Sequence, residues 1–177
     1  MPETAEAHMV TLTTNRICVI EIKNASNVYC FYQPSVFMKS GFSYCPPQPT
    51  LGSNKTEVCS FTKDDNTASG AVGVMTYDLF NMHTRQCTEM MAIMFSVPFD
   101  YNFYANWLGV GIFDKETPCD EKLFDQMYND TDEAHFKHYK ADGSGIVFKG
   151  DMVDVRACMS DEGRAIVKLE FYDKIGR

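Results

Sequence analysis

Two short clusters hold the side chains best suited to metal or proton chemistry. His83 and Cys87 lie at i, i+4, and His135 and His138 lie at i, i+3 with Asp132 and Glu133 beside them. A zinc site needs three or four such ligands at close spacing, on elements that aim them at one point. The first pair falls in an expected hairpin rather than on one helical face, and the second is a weak candidate because scattered surface histidines are the rule. Gly70-Ala71-Val72-Gly73 is too sparse for a nucleotide fingerprint, and no Walker lysine follows it. No G-x-S-x-G, H-E-x-x-H or other nucleophile motif occurs. We expect no catalytic residue, no metal and no cofactor; the chain does not read as an enzyme.

The chemistry lies instead in Phe95-Ser96-Val97-Pro98-Phe99-Asp100-Tyr101-Asn102-Phe103-Tyr104-Ala105-Asn106-Trp107, six aromatics in thirteen residues. The apolar run at 90–95 reads as a buried strand. Pro98 lacks an amide donor and ends the ladder, and Asp100 and Asn102 bond their own backbone in turns. The rings after Pro98 therefore sit on a loop. Phe95 and Tyr101 are expected to close the core, whereas Phe103, Tyr104 and Trp107 point to a contact surface. Tyrosine and tryptophan join an apolar body to a polar tip, which suits a protein interface, a lipid headgroup or a stacked sugar.

Those rings need a scaffold, and the flanking sequence supplies short strands. Expected strands cover 16–22, 28–32 (closing at Gln33-Pro34), 57–61, 70–77, 108–114, 145–148, 152–158 and 164–172. In the last, Ala165, Val167, Leu169 and Phe171 face inward, with Ile166 the one exception to the alternation. The glycines at 70 and 73 imply a close backbone approach. Lys39-Ser40-Gly41 reads as a loop and Cys45-Pro46-Pro47-Gln48-Pro49 as an extended connector. A single helix is expected after Thr117-Pro118-Cys119-Asp120, with Leu123, Phe124, Met127 and Tyr128 on one side and Asn129-Asp130 as its stop. The pattern predicts a mainly-β sandwich of about ten or more strands with one short flanking helix. It fills a single domain, 1–177, in which 1–15 is a flexible arm and 16–177 the sandwich.

Composition narrows the partners. The net charge of -8, with no basic run, argues against nucleic acid and against adhesion to anionic lipid. No window reaches the length of a spanning helix. The first fifteen residues lack the basic and apolar regions of a signal peptide, so a cytoplasmic or non-classically released protein is expected. Seven cysteines without a CxxC pair fit reduced, buried thiols, and the sequons at Asn24, Asn54 and Asn129 read as coincidental.

Gly70-Ala71-Val72-Gly73-Val74, the aromatic run 95–107 and the helix with Phe124 and Tyr128 together resemble the actinoporins, the pore-forming cytolysins of sea anemones. The resemblance extends over about 16–172, and the chain looks like an actinoporin-like protein of another animal, such as a fish. It implies a β-sandwich flanked by helices, shared with fungal fruit-body lectins. It also implies a pocket for choline headgroups such as that of sphingomyelin. The implied pocket residues are Lys39 (in place of an arginine near the phosphate), Ser40, Val72, Ser96, Pro98, Tyr104, Phe124 and Tyr128. Phe103, Tyr104 and Trp107 are the implied membrane contacts. A tyrosine face attracts a quaternary ammonium by roughly 0.5–2 kcal/mol.

The departures bear on specificity. Phe124 and Asn129 stand where the family has tyrosines, Phe103 and Leu108 where it has tryptophans, and the Arg-Gly-Asp after the helix is absent. Family members are basic and cysteine-free, unlike this chain. They also carry a long N-terminal amphipathic helix that lines the pore. The fifteen residues before the first strand would reach only ~22 Å as a helix, short of the ~30 Å hydrocarbon core, and show no apolar stripe. Two expectations follow: a peripheral protein on zwitterionic, choline-bearing membranes with weak or no lysis and with room for a homo-oligomer there, or a glycan-binding lectin on the same fold.

Overall fold

A computed structural model describes residues 4–131 and 134–174. In chain order the elements are α1 (Ala5–Met9), β1 (Ile17–Asn24), β2 (Tyr29–Ser40), β3 (Phe42–Cys45), β4 (Thr50–Leu51), β5 (Lys55–Thr62), β6 (Ala71–Asn81) and β7 (Gln86–Val97). They continue with β8 (Trp107–Asp114), α2 (Glu121–Asn129), β9 (Phe136–Lys140), β10 (Gly145–Lys149), β11 (Val153–Met159) and β12 (Arg164–Asp173). Two six-stranded sheets face each other, ordered β10-β11-β12-β1-β5-β3 and β4-β2-β6-β7-β8-β9. The sequence-based sandwich is thus the observed architecture. β1 and β12 pair in parallel, and the other ladders are antiparallel.

Alternation explains the layers. Cys18, Ile20 and Ile22 of β1, Met91, Ile93 and Phe95 of β7, and Ala165, Val167, Leu169 and Phe171 of β12 fill the space between the sheets. Several of the residues between them, which point outward, are covered by the helices. Met90, Ala92 and Met94 lie beneath α2 with Leu123, Phe124 and Met127. Ile17 and Val19 lie beneath α1 with Ala5 and Leu12, and Ile166 packs there as well. The four layers therefore run α1, sheet, sheet, α2.

Several expectations need correction. The described part of the arm expected at 1–15, residues 4–15, packs on the sandwich: Thr4 caps α1 by accepting from Ala7 N at 3.1 Å, and Ala5 and Leu12 are buried. Arg164 fastens the segment by donating to the carbonyls of Met9, Leu12 and Thr14 at 2.7–3.1 Å. A second helix therefore joins the one expected. β2 does not close at Gln33-Pro34 but runs on to Ser40 through a bulge, with Gln33 at φ 50°. The loop expected at Lys39-Ser40 is strand. The glycines behave as read: a Cβ on Gly70 would stand 2.1 Å from Val97 O, and one on Gly73 2.5 Å from Phe37 O.

None of the seven cysteines is in a disulfide. Cys18 and Cys59 are buried, which pushes both thiols up from their ordinary value, and the other five are part-exposed rather than buried. Asn24 is wholly buried and donates to Tyr29 O at 2.9 Å, so its sequon cannot be glycosylated in this fold. Among the described residues no helix is long and apolar enough to cross a membrane.

Candidate functional site

The site grows from one rung of the second sheet. Ser40 pairs with Val72, Val72 with Ser96, and Ser96 with Trp107 across β2, β6, β7 and β8. Residues opposite one another in register share a face, and this face looks toward α2. The capping residue Asp120 accepts from Leu123 N at 3.1 Å and starts α2. The helix turns Leu123, Phe124 and Met127 into the apolar layer and sets Tyr128 at its edge. Pro98, one residue past the end of β7, sends the chain into the loop 98–106.

Between rung, helix and loop lies an open cavity of about 600 Å³. Lys39, Ser40, Val72, Ser96, Pro98, Tyr104, Phe124 and Tyr128, the eight residues implied by the family resemblance, all line it. Phe124 and Tyr128 stack, with ring centroids 5.6 Å apart. Burial raises the Tyr128 phenol, helped by the neighbouring Tyr104. The cavity also takes in Asp100, Asp125 and Asn129.

Lys39 differs from expectation. Its ammonium lies 2.9 Å from Asp125 Oδ1 and 3.5 Å from Glu121, and 5.3 Å from the Phe124 ring centroid. The hydrogen bond to Asp125 raises the Lys39 ammonium further. The cation expected near a phosphate is thus already neutralised, and the cavity keeps an acidic balance that suits a positive guest.

The loop holds its rings apart. Phe103 is 80% and Tyr104 60% exposed. Tyr101, expected in the core, is also exposed; its hydroxyl donates to Asn106 Oδ1 at 2.7 Å. Trp107 corrects the reading further: it is the first residue of β8, half-buried, with its ring 6.2 Å from Tyr128 and 5.3 Å from His138. The loop's most exposed rings are therefore Phe103 and Tyr104, while Trp107 packs against Tyr128 and His138.

Sequence reasoning missed what fixes this loop. Arg16 donates from Nε to Pro98 O at 2.9 Å and from Nη2 to Phe99 O at 2.7 Å, and its guanidinium lies 4.8 Å from the Tyr101 centroid. At the far end buried Asn106 donates to Ser160 O and Glu162 O at 3.0 and 2.8 Å. A lone arginine at a strand start gives no local sign of carbonyl partners 82 and 83 residues away.

The two metal candidates separate. His83 sits on the exposed turn between β6 and β7, while Cys87 lies within β7. His138 Nδ1 is 2.6 Å from Met127 O, and its ring leans on Trp107. Asp132 and Glu133 lie outside the described residues. No group of three metal-ligating side chains occurs among the described residues.

Comparison with known proteins places this geometry. DELTA-alicitoxin-Pse1b of Phyllodiscus semoni is 48% identical over 62 residues, 35% of this chain and 25% of its own length. Bryoporin of Physcomitrium patens is 30% identical over 115 residues, 65% of this chain and 61% of its own. The matched stretches thus span between a quarter and three fifths of these relatives. Among solved structures, the lipid binding protein Nakanori superposes with a TM-score of 0.70 at 11% identity, over 96% of this chain and 79% of that one, a likeness of fold. The family profile described as sea anemone cytotoxic protein matches residues 13–171. With nearly its whole length matched, the chain belongs to that family, the actinoporins and their relatives, whose members are non-catalytic.

Proposed function

We propose that this chain is a peripheral membrane-binding module that takes choline-type headgroups into the cavity under α2, with Phe103 and Tyr104 in the interface above it. The observation that carries this reading is the convergence of three rings, Tyr104, Phe124 and Tyr128, with two carboxylates, Asp100 and Asp125, around one open cavity. Aromatic faces and nearby negative charge are what a quaternary ammonium seeks. Phe103, next in sequence to the cavity-lining Tyr104, is 80% exposed, and such an apolar ring gains about 1–2 kcal/mol on leaving water. The names of the toxin relatives and of the lipid binding protein Nakanori support a membrane target. Flotation with phosphatidylcholine vesicles, against vesicles of phosphatidylglycerol alone, tests it. Preferential flotation with the choline lipid is expected, and equal or opposite behaviour contradicts it.

Weak or absent lysis belongs to the same proposal. Residues 4–16 are held to the first sheet by buried Ala5 and Leu12 and by the Arg164 clamp, and α1 is only five residues long. Dye release from choline-lipid vesicles should therefore remain low at concentrations that saturate binding, whether or not copies assemble there. A source outside the anemones, such as a fish, also belongs to this reading, since the acidic charge and seven cysteines depart from the basic, cysteine-free cytolysins.

Glycan binding is the second reading. Exposed Tyr101, Phe103 and Tyr104 beside Asp100 and Asn102 offer stacking faces and hydrogen-bond partners suited to a sugar. A glycan array run on the same preparation separates the two: strong glycan signals without flotation favour the lectin.

A further inference from the structure

The rung that floors the cavity extends one strand further, because Trp107 pairs with Lys140 of β9. Trp107 and Lys140 line a second cavity of about 440 Å³, which also takes in Tyr101, Asn102 and Phe103. Tyr104 and Tyr128 line both cavities, so two phenols form the wall between them. The two sides of that wall differ in charge. The first holds Asp100, Asp125 and a Lys39 already paired with Asp125 and Glu121. Among the described residues that line the second, Lys140 is the one charged side chain, and it is exposed and makes no ion pair with another described residue. The groups around it can donate: the Trp107 indole N–H, the Tyr104 and Tyr128 hydroxyls and the Asn102 carboxamide.

We propose that this second cavity is an anion subsite that holds the phosphate of the headgroup whose ammonium occupies the first, with Lys140 rather than Lys39 as its cation. The inference rests on the choline reading above. A phosphate placed at Lys39 would stand beside Asp125 and Glu121 and face Asp100, so repulsion would offset what the paired ammonium contributes. Across the tyrosine wall the Lys140 ammonium meets the phosphate with no carboxylate among the described lining residues. The Trp107 N–H and the tyrosine hydroxyls supply charge-assisted hydrogen bonds to it. The ligand class is a zwitterion whose cation and anion are sorted to opposite sides of Tyr104 and Tyr128.

Soluble choline and phosphocholine, titrated calorimetrically into the full chain and into Lys140→Met, Lys140→Arg and Lys39→Met, test the assignment. Wild type should bind phosphocholine at least about fivefold tighter than choline. Lys140→Met should erase that preference while leaving choline affinity within about twofold, and Lys140→Arg should keep it. Lys39→Met should keep the preference too. Trp107, the single tryptophan, should change its emission with phosphocholine and not with choline, since it lines only the second cavity. Loss of the preference in Lys39→Met with retention in Lys140→Met overturns the assignment, as does a wild type that binds both ligands equally. Failure of choline itself to bind wild type sinks the headgroup reading and this inference together, so the two failures are distinguishable. Lys140 is exposed at a sheet edge, and unchanged melting of Lys140→Met would exclude unfolding as the cause.

Discussion

Two irregular segments of this molecule, the loop 98–106 and the N-terminal stretch 4–16, are anchored in the same manner and to opposite ends. Each is fastened by an arginine that donates to backbone carbonyls, Arg16 to Pro98 and Phe99, and Arg164 to Met9, Leu12 and Thr14. The N-terminal stretch turns its apolar groups inward, with Ala5 and Leu12 against Ile17, Val19 and Val58. The loop turns Phe103 and Tyr104 outward. Fixing the backbone in both places removes conformational freedom, but in one case the sheet is covered and in the other two rings are presented to solvent. An ordered exposed ring loses little further entropy on docking, so its burial there yields more net affinity.

The largest effect that would sharpen this contrast lies beneath the loop. Trp107→Ala removes a half-buried ring packed on Tyr128 and His138, and should lower unfolding stability by about 3 kcal/mol in urea denaturation. Leu12→Ala should cost about 2 kcal/mol and leave vesicle affinity unchanged, since it empties only the layer under α1. A Leu12→Ala protein as stable as wild type would mean that the stretch is not held.

Arg16→Leu should act on binding through the loop, lowering vesicle affinity roughly fivefold by flotation as the ends of the loop loosen. The smallest effect concerns Glu6 and Lys168, 3.0 Å apart on the surface. The Lys168 ammonium lowers the Glu6 carboxyl below its ordinary 4.5. Its folded value being depressed, the contribution is complete above that pH and lost as pH falls through the lowered value. Glu6→Gln should therefore change stability by at most a few tenths of a kcal/mol at neutral pH, and by nothing measurable in strong acid.

The fold was legible where one strand carried its own pattern. The alternation of β12 marks its inner face, and even its exception, Ile166, is a residue that packs under α1. The helix was legible because Asp120 caps it and its apolar side repeats. β2 is harder to see in sequence, because Pro34 signals a strand end. Beyond Tyr32, however, the described outer edge of β2 has no partner strand, and the bulge absorbs the missing amide. The packing of the N-terminal stretch is not legible in sequence, because two apolar residues make no stripe and the patch they cover is assembled from β1, β5 and β12. The pocket residues came together through the family resemblance. The rung joining Ser40, Val72, Ser96 and Trp107 depends on register among four strands, which composition does not encode.

The central claim, that an exposed and pinned pair of rings carries membrane contact, is tested most directly by Phe103→Ala with Tyr104→Ala in flotation on phosphatidylcholine vesicles, beside thermal melting. Two rings that each contribute about 1–2 kcal/mol predict an affinity loss of at least about tenfold. With a net charge of -8 the binding should also depend weakly on salt. Melting should stay within a degree or two of wild type, because both side chains are largely in water already. Unchanged flotation, or a variant that unfolds, would contradict the account.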